Sequence, residues 1–545
     1  MNRSGLRPVS LPALRGLVVR NSWWTLAGSL AVYAAASLLL KQDANWDLLN
    51  YHFYNAYAFL NDRIDYDIAP AQLQSFHNPA LDIPFYWLVR AHVHPRIISV
   101  LLALPAGIAA FFAYLVIERL FASVPSPTRR LYVLIALGIG VTGTAGVPLI
   151  GSTMNDWHGA MFVVIALWLA LKSRDAIDRA QRWSLLGLGG LFAGLASGLK
   201  PTCAPYAVAI AVALLCTVRP FRGRAVVDGA VFASAVAGGF AAVAGFWMWS
   251  MYEKFGNPLY PYYNDLFKSP WWDEVRIQSR YAQHSIIDVV SLPFRLFGVN
   301  RGLVGEVPLR DWRVPCVFVT ALVALAAAGV RSKQSVSSDD SQRVRPIDAR
   351  WSLVIVFWFA SFVLWAIQHS IYRYIVPLEL LSGALIVGFL AASFRSRVAG
   401  IMSGVAIVVL AATTRYPGWS RVPFGEAFID VDAPRIAADS LVLIVEDAPL
   451  SFTIPFFDSR VRFVGARNNF NDPWRENLLG TKTRRTIAEH SGPLYSLRFS
   501  IDPSDDVLRE YGLKTRRIAC QPIRTNVAKE PPVLCELERS SAIGR

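Results

Sequence analysis

Repeated apolar runs of about twenty residues limit this chain to one broad class of fold. Residues 21–40 carry no charge, and similar runs recur along the chain. Such a run can cross the ~30 Å hydrocarbon core of a bilayer as a helix. Only 17% of the 545 residues are charged, against about a quarter in soluble domains. We therefore predict a mostly α, polytopic membrane protein with about eleven transmembrane helices, near residues 21–40, 98–118, 131–150, 157–172, 183–199, 203–218, 226–250, 312–330, 351–369, 374–394 and 397–413.

The loops between these spans differ in charge from one side to the other. One side receives short basic segments such as "ERLFASVPSPTRR" and "SFRSR", together with Arg3, Arg7, Arg15 and Arg20. Short basic loops are typical of the cytoplasmic side. The net charge of +15 is explained in this way, and we expect no nucleic-acid partner. The opposite side receives the loops 41–97 and 251–311 and the C-terminus, which predicts a bacterial cytoplasmic membrane protein with a cytoplasmic N-terminus and a periplasmic or extracytoplasmic C-terminus.

The composition changes after residue 413. The segment 414–545 carries 19 Lys and Arg against 17 Asp and Glu, a balance typical of a soluble domain. "LVLIVED", "VRFVG", "PLYSLRF" and "RRIACQPI" are typical of strands, whereas "TRRTIAEH" and "DVLREYG" are typical of helices. The chain therefore divides into a membrane domain, 1–413, and a soluble α/β domain, 414–545. We assign no chemistry to the second domain, because no Gly-rich phosphate loop opens its helices.

The five cysteines fall into two groups. Cys203, Cys216 and Cys316 lie in or beside predicted spans, where they are most simply small core residues. Cys520 and Cys535 lie on two candidate strands of the outer domain. An oxidising compartment favours a disulfide between them.

Acidic and aromatic residues crowd the exit of the first predicted span, in "QDANWDLLNYHFY". On a helix Asp43, Asp47 and Tyr51 would share one face. Asp156, in "STMNDWHG", precedes the fourth span. Capping and an aromatic belt would explain these residues structurally. Alternatively, they form an outer site in which Asp47 acts with Asp43 and Asp156.

These side chains also permit a weaker, metal-binding interpretation. Oxygen and nitrogen ligands suit a divalent ion, but no spacing here is diagnostic. The candidate ligands are Asp43, Asp47, His52, Asp156 and His158.

Two cations lie on the outer side, whose short turns otherwise lack them. Lys200 stands in "GLKPT" and Arg373 in "HSIYRYIVPL". They could extend to lipid headgroups, or they could bind an anion, for which Arg offers two parallel hydrogen bonds and Lys a point charge. The aromatic segment "GNPLYPYYN" nearby could face lipid or stack on a sugar, and the sequence leaves both open.

With these residues the chain resembles the GT-C superfamily of polytopic glycosyltransferases, in a pattern related to the mannosyl- and aminoarabinose-transferases. The likeness lies in the large first outer loop with Asp43 and Asp47, in Asp156 on the second loop, and in the motifs "GLKPT", "GNPLYPYYN" and "YRYIVP". It covers most of residues 20–400. The "WWD" signature of oligosaccharyltransferases does not stand in its expected soluble setting, because "SPWWDEV" lies in an outer loop. That departure argues against en bloc transfer of an oligosaccharide to asparagine.

The resemblance implies an inverting transfer of a sugar from a polyprenyl-phosphate donor to a lipid, glycan or protein acceptor. Asp47 would be the general base, helped by Asp43 and Asp156. A transporter or flippase of lipid-linked saccharides, or a surface-polysaccharide polymerase or ligase, is the alternative. A transporter would place ionisable residues near the membrane midplane and contain repeated halves. The implied substrate-binding residues are Lys200, Arg373, Tyr51, His52 and Tyr372.

Overall fold

The computed structural model describes residues 22–217, 223–277, 279–299, 302–332, 348–499 and 505–540. The four N-terminal arginines used for the orientation lie outside the described residues. So does most of the two basic segments at 217–224 and 331–350. The orientation of the chain in the membrane therefore stays a prediction.

Helices account for most of the described chain, and each of the predicted spans overlaps one of them over at least part of its length. A short π-helical stretch, Leu48–His52, and a 3₁₀ turn, Tyr372–Ile375, also bear on the site. In chain order the α-helices are α1 (Ser22–Leu39), α2 (Phe53–Leu60), α3 (Asp82–Arg90), α4 (Pro95–Leu120), α5 (Ser126–Val141), α6 (Asp156–Lys172), α7 (Arg179–Leu199), α8 (Ala204–Cys216), α9 (Arg224–Phe255), α10 (Asn264–Phe267), α11 (Ile286–Arg295), α12 (Arg313–Ser332), α13 (Ala349–Gln368), α14 (Val376–Ser393), α15 (Ser396–Thr413), α16 (Leu478–Glu489) and α17 (Asp506–Glu510).

Within the described residues, 7 helical segments are long and apolar enough to cross a membrane. Helices α5, α6, α7 and α8 are shorter or less apolar than these. The fold is thus that of a multi-pass membrane protein, and the number eleven stays a prediction. The seven segments are Ser22–Leu39, Pro95–Leu120, Arg224–Phe255, Arg313–Val330, Ala349–Gln368, Tyr372–Ser393 and Ser396–Thr413.

Helix α5 ends well before the third predicted span does, because side chains take over its backbone hydrogen bonds. Arg313 donates from Nε to the carbonyl of Ile139 at 2.7 Å. Glu379 accepts from the N–H groups of Ala145 and Gly146 at 2.8 and 2.9 Å. A helix can break inside a membrane only where its freed polar groups find such partners.

Helix α14 occupies the centre of the helical layer and is buried along almost its whole length. A Cβ added to Gly383 would lie 2.0 Å from the carbonyl oxygen of Ala136, and one added to Gly140 would lie 2.4 Å from that of Leu380. The two glycines therefore let α5 and α14 touch backbone to backbone. This contact fixes the end of α14 beside which the candidate site lies.

The tail contains the α/β layer that the sequence predicts. A five-stranded sheet has the order β5–β4–β6–β9–β7. Strand β4 runs parallel to β5 and β6, and the pairs β6/β9 and β9/β7 are antiparallel. A disulfide joins Cys520 to Cys535 on the neighbouring strands β7 and β9. The strands are β1 (Gln42–Asp43), β2 (Arg421–Val422), β3 (Val431–Asp432), β4 (Leu441–Ile444), β5 (Arg462–Gly465), β6 (Leu494–Arg498), β7 (Leu513–Pro522), β8 (Arg524–Thr525) and β9 (Val533–Arg539).

The loop 41–97 and the tail form one packed body rather than two. Strand β1 of the loop pairs with β2 of the tail. Ile68 continues the sheet beyond β5, since its N–H donates to Phe463 at 2.9 Å and its carbonyl accepts from Gly465 at 2.7 Å. The loop and the strands also share one hydrophobic core. The tail therefore supports the segment that carries Asp47.

Candidate functional site

Asp43 and Asp47 do not share a helical face, contrary to the prediction. Asp43 lies on the extended strand β1, and the helical stretch begins only at Trp46. The Oδ1 atom of Asn45 accepts a hydrogen bond from the N–H of Leu48 at 2.9 Å, as an N-cap does. The helix begins directly after this cap. Asp43 therefore lies before the helix, whereas Asp47 lies in its first turn.

Asp43 has a structural environment. It is fully buried, and Asn45 donates to both of its oxygens at 2.7 and 2.6 Å. Thr153 adds two hydrogen bonds at 2.8 Å, one from its N–H and one from its hydroxyl. Asp43 thus joins the first outer loop to the turn before α6. With both oxygens bonded to protein, it is a poor candidate for catalysis beside Asp47.

The other two acids meet the two predicted cations. Arg373 Nη1 donates to Asp47 Oδ2 at 2.6 Å, and Lys200 Nζ donates to Asp156 Oδ1 at 2.6 Å. The Tyr374 ring lies between the pairs, with Lys200 Nζ 5.2 Å and Arg373 Cζ 5.3 Å from its centre. Four residues from four separate parts of the chain therefore form one cluster. Neither cation extends towards lipid as a lone charge.

The ion pair fixes the charge state of Asp47. Burial alone would raise the pKa of this carboxyl, but the positive charge of Arg373, with a smaller contribution from Lys200, outweighs it and lowers the pKa below the ordinary value. Asp47 is therefore ionised at neutral pH and, while Arg373 holds it, weakly basic. Burial lowers the pKa of His77 to about 4, so this ring at the edge of the cluster is neutral.

A second polar unit, absent from the sequence prediction, stands beside the cluster. His52 Nδ1 lies 2.7 Å from Asp82 Oδ1, and both side chains are buried. Asn155 Nδ2 donates to the same oxygen at 3.0 Å. Asp82 therefore orients the imidazole. The position of Asp82 at the start of α3 is the only signal in the sequence, and it is equally typical of a helix terminus.

Aromatic rings form one wall of the site. Tyr51 packs against His52, with ring centres 4.2 Å apart, and meets His77 edge-on at 5.3 Å. His77 Nε2 lies 2.9 Å from the hydroxyl of Tyr262, which belongs to the "GNPLYPYYN" segment. In the same segment Tyr260 is buried and packs in the core. The segment is thus mainly a packing element, and Tyr262 is its link to the site.

Among the residues that the structure describes, three buried polar atoms of the site find no hydrogen-bond partner. They are Asp156 Oδ2, His52 Nε2 and His158 Nδ1. An unsatisfied buried polar atom costs about 1–3 kcal/mol, and natural proteins contain few. These three atoms are available to hydrogen-bond a polar ligand or water.

Two predicted roles do not fit this geometry. Tyr372 is 1% exposed, and it packs edge-on against Trp365 rather than beside the ion pairs. The ring that lies beside the ion pairs is that of Tyr374, two residues further along the chain, and not that of Tyr372. The candidate metal ligands do not assemble either, since among the described residues no three His, Cys, Asp or Glu side chains are placed to hold a metal ion.

Similarity searches add no relative to this description. Comparison of the chain with protein-family models, with curated proteins and with solved structures yields no match.

Proposed function

We propose that this protein is a membrane glycosyltransferase that moves a sugar from a polyprenyl-phosphate donor to a hydroxyl acceptor. The observation that carries the proposal is the pairing of Asp47 with Arg373 beside Asp156 with Lys200. The cluster lies at one end of membrane-length helices, since Arg373 belongs to the 3₁₀ turn that leads into α14 and Asp47 follows α1 by eight residues. A lipid-linked donor would have its phosphate at that level.

The cations supply the donor site in this proposal. Among the described contacts, Arg373 reaches protein acceptors only through Nη1, which leaves its other N–H groups for phosphate oxygens. Arg is suited to that role by its rigid fork of donors, and Lys200 adds a compact charge. Phosphate binding would draw Arg373 away from Asp47. The carboxylate would then regain the basicity that the ion pair suppresses.

Asp47 is the proposed general base. It takes the proton of the acceptor hydroxyl as that oxygen forms a bond to the anomeric carbon. The bond between that carbon and the phosphate oxygen breaks, and the electron pair leaves with the phosphate, whose charge Arg373 and Lys200 stabilise. One displacement inverts the configuration at carbon. General-base assistance of this kind is worth roughly 10²–10⁴ in rate.

The unsatisfied polar atoms would position the sugar or the acceptor. Asp156 Oδ2 can accept a hydrogen bond from a hydroxyl group, and so can His52 Nε2 when Asp82 holds the proton on Nδ1. Tyr51 supplies an aromatic surface next to them. These contacts explain how a site with few free charges could still select a polyhydroxylated substrate.

The location of the protein in the membrane and its superfamily are part of the same proposal. All eleven helices that match predicted spans would lie in a bacterial cytoplasmic membrane, with the site and the tail on the extracytoplasmic side. Membership of the GT-C superfamily, as the sequence suggests, would follow.

The test is mass spectrometry of surface glycans and lipids from cells with the wild-type protein, with Asp47→Asn, and without the protein. We expect one glycan or lipid to lose a single sugar without the protein, and Asp47→Asn to reduce its formation by about two orders of magnitude. Asp62→Asn is the matched control, because Asp62 is exposed on the same outer loop. Normal glycosylation by Asp47→Asn would contradict the proposed base, and unchanged glycans without the protein would contradict the function.

A further inference from the structure

Helix α11, in the loop 251–311, has an apolar face that none of the described residues covers. Ile286, Ile287, Val290 and Phe294 are 82%, 79%, 64% and 45% exposed. At 3.6 residues per turn they occupy an arc of about 100°. An isolated exposed apolar residue needs no explanation, but four on one face of a ten-residue helix do.

The remaining surface of α11 consists of a side buried against the protein and a polar edge. Leu292 and Pro293 are buried against the protein. Asp288, Ser291 and Arg295 lie between the buried side and the apolar face, and Arg295 pairs with Asp288 at 3.5 Å. Ser285 caps the first turn, since its hydroxyl accepts from the N–H of Asp288 at 3.0 Å. The helix is thus a fixed, well-formed element with three distinct surfaces.

Hydrogen bonds on both flanks of α11 hold it at the ends of two membrane-length helices. The N–H of Gln283 donates to the carbonyl of Ala366, near the end of α13, at 2.9 Å. On the other flank, Trp312 Nε1 donates to the carbonyl of Phe297 at 2.8 Å, immediately before α12 begins. Helix α11 therefore lies beside the ends of α12 and α13, at the level where two membrane-length helices would leave a bilayer.

The two membrane-length helices beside α11 also expose apolar side chains. Val363 and Ile367 of α13 are 44% and 49% exposed, and Leu322 of α12 is 56% exposed. In a membrane-length helix such side chains face lipid. A helix with an exposed apolar face and a polar edge, held at this depth, has the character of an interfacial helix.

We propose that α11 lies in the membrane interface, with Ile286, Ile287, Val290 and Phe294 inserted among the acyl chains of the adjacent leaflet. Asp288, Ser291 and Arg295 remain at the headgroup level. The partner is the lipid surface itself. This inference requires only that the chain spans a membrane, and it is independent of the proposed sugar transfer.

Spin-label accessibility in lipid vesicles tests the proposal on the full-length chain. Cys216 and Cys316 are replaced by Ser, while Cys203 is buried and the other two cysteines are bonded to each other. Nitroxide labels are then placed singly by Ile286→Cys, Val290→Cys and Phe294→Cys. Labels at Ser291→Cys and at the exposed His284→Cys serve as controls on the same segment.

We expect labels on the apolar face to collide several-fold more with dissolved oxygen than with a water-soluble nickel chelate, and the control labels to show the reverse. Equal nickel accessibility at 290, 294 and 284 would place the face in water and overturn the proposal. Labels that both reagents fail to reach would mean that a protein surface, such as a second copy, covers the face, and this too would overturn it. If the labels at positions 286, 290 and 294 give the same result, that result cannot be due to misfolding of a single variant.

Discussion

Asp43 and Asp47 are four residues apart, and their surroundings give them different roles. Asp43 has no capacity left for a substrate, because Asn45 and Thr153 occupy both of its oxygens. Asp47 has one principal partner, Arg373, which a phosphate could displace. A residue's chemistry is thus set by how many of its hydrogen bonds the protein already satisfies. By this measure Asp47, Asp156 and His52 have capacity for a ligand.

Arg373→Lys is expected to weaken donor binding about ten- to hundred-fold. The positive charge and the pair with Asp47 persist, so folding is retained, but the second parallel hydrogen bond to phosphate is lost, worth about 1.5–3 kcal/mol. The dissociation constant of a polyprenyl-phosphate sugar is the measurement, with the thermal unfolding midpoint as the folding check. Arg280→Lys, on an exposed outer loop, is the control. Unchanged affinity in Arg373→Lys would mean that this cation has only a structural partner in Asp47.

The sequence identified most members of the cluster but not its arrangement. Asp47 and Asp156 stand out in the sequence as acids on the outer side, and Lys200 and Arg373 stand out because the short outer turns otherwise carry no cation. The pairing of Asp47 with Arg373 joins positions 326 residues apart, which no local pattern encodes. Asp82 was missed for a related reason, since an acid at a helix start is expected on structural grounds alone. The helical face proposed for Asp43 failed because Asn45 is a strong cap, and this signal was present in the sequence.

At the scale of elements, the broken end of α5 shows how a polar segment is kept inside the helical layer. Arg313, Asp311 and Glu379 are buried, but their side chains bond to each other or to backbone groups of the break. These ionisable residues are therefore explained by structure. They do not indicate the transport pathway that intramembrane charges often mark.

Gly143→Ala is expected to destabilise this break. An added Cβ would lie 2.1 Å from Glu379 Oε2, so the carboxylate must move away from the N–H groups of Ala145 and Gly146. Overpacking of this kind costs about 1–3 kcal/mol, which should lower the thermal unfolding midpoint in detergent by several degrees. Gly238→Ala is the matched control, because it lies in helix α9 with nothing within 4 Å of the added atom. Equal midpoints in the two variants would contradict the role given to Glu379.

At the scale of the whole molecule, length and composition predict both the apolar helices and the α/β tail, because apolar runs and charge balance are properties of long segments. The predicted strands "LVLIVED", "VRFVG" and "PLYSLRF" coincide with β4, β5 and β6. What could not be predicted is that loop 41–97 packs into the tail's core. Side-chain periodicity reports that a segment has a buried face but not what covers it.

Reporter fusions after Gly223 and after Trp419 test the orientation. Short basic loops should hold the first position in the cytoplasm, and the second should lie across the membrane. We expect a phosphatase reporter, active only outside, to work after Trp419 and not after Gly223. A fluorescent reporter that matures only in the cytoplasm should give the reverse. Activity of one reporter at both positions would remove the basis for an outward-facing site.

Because the first outer loop packs against the tail, the loop cannot reach its final structure until the tail has been synthesised. Gln42 Nε2 donates to the carbonyl of Phe428, 386 residues later in the chain, at 2.7 Å. At ribosomal rates of 5–20 residues per second, that interval lasts about 20 to 80 seconds. Throughout it, the segment carrying Asp47 lacks the strands that cover its apolar side. The loop segment that carries Asp47 can therefore complete its hydrophobic core only after the tail has been made, and a chain that stops before the tail would leave that segment without its covering strands.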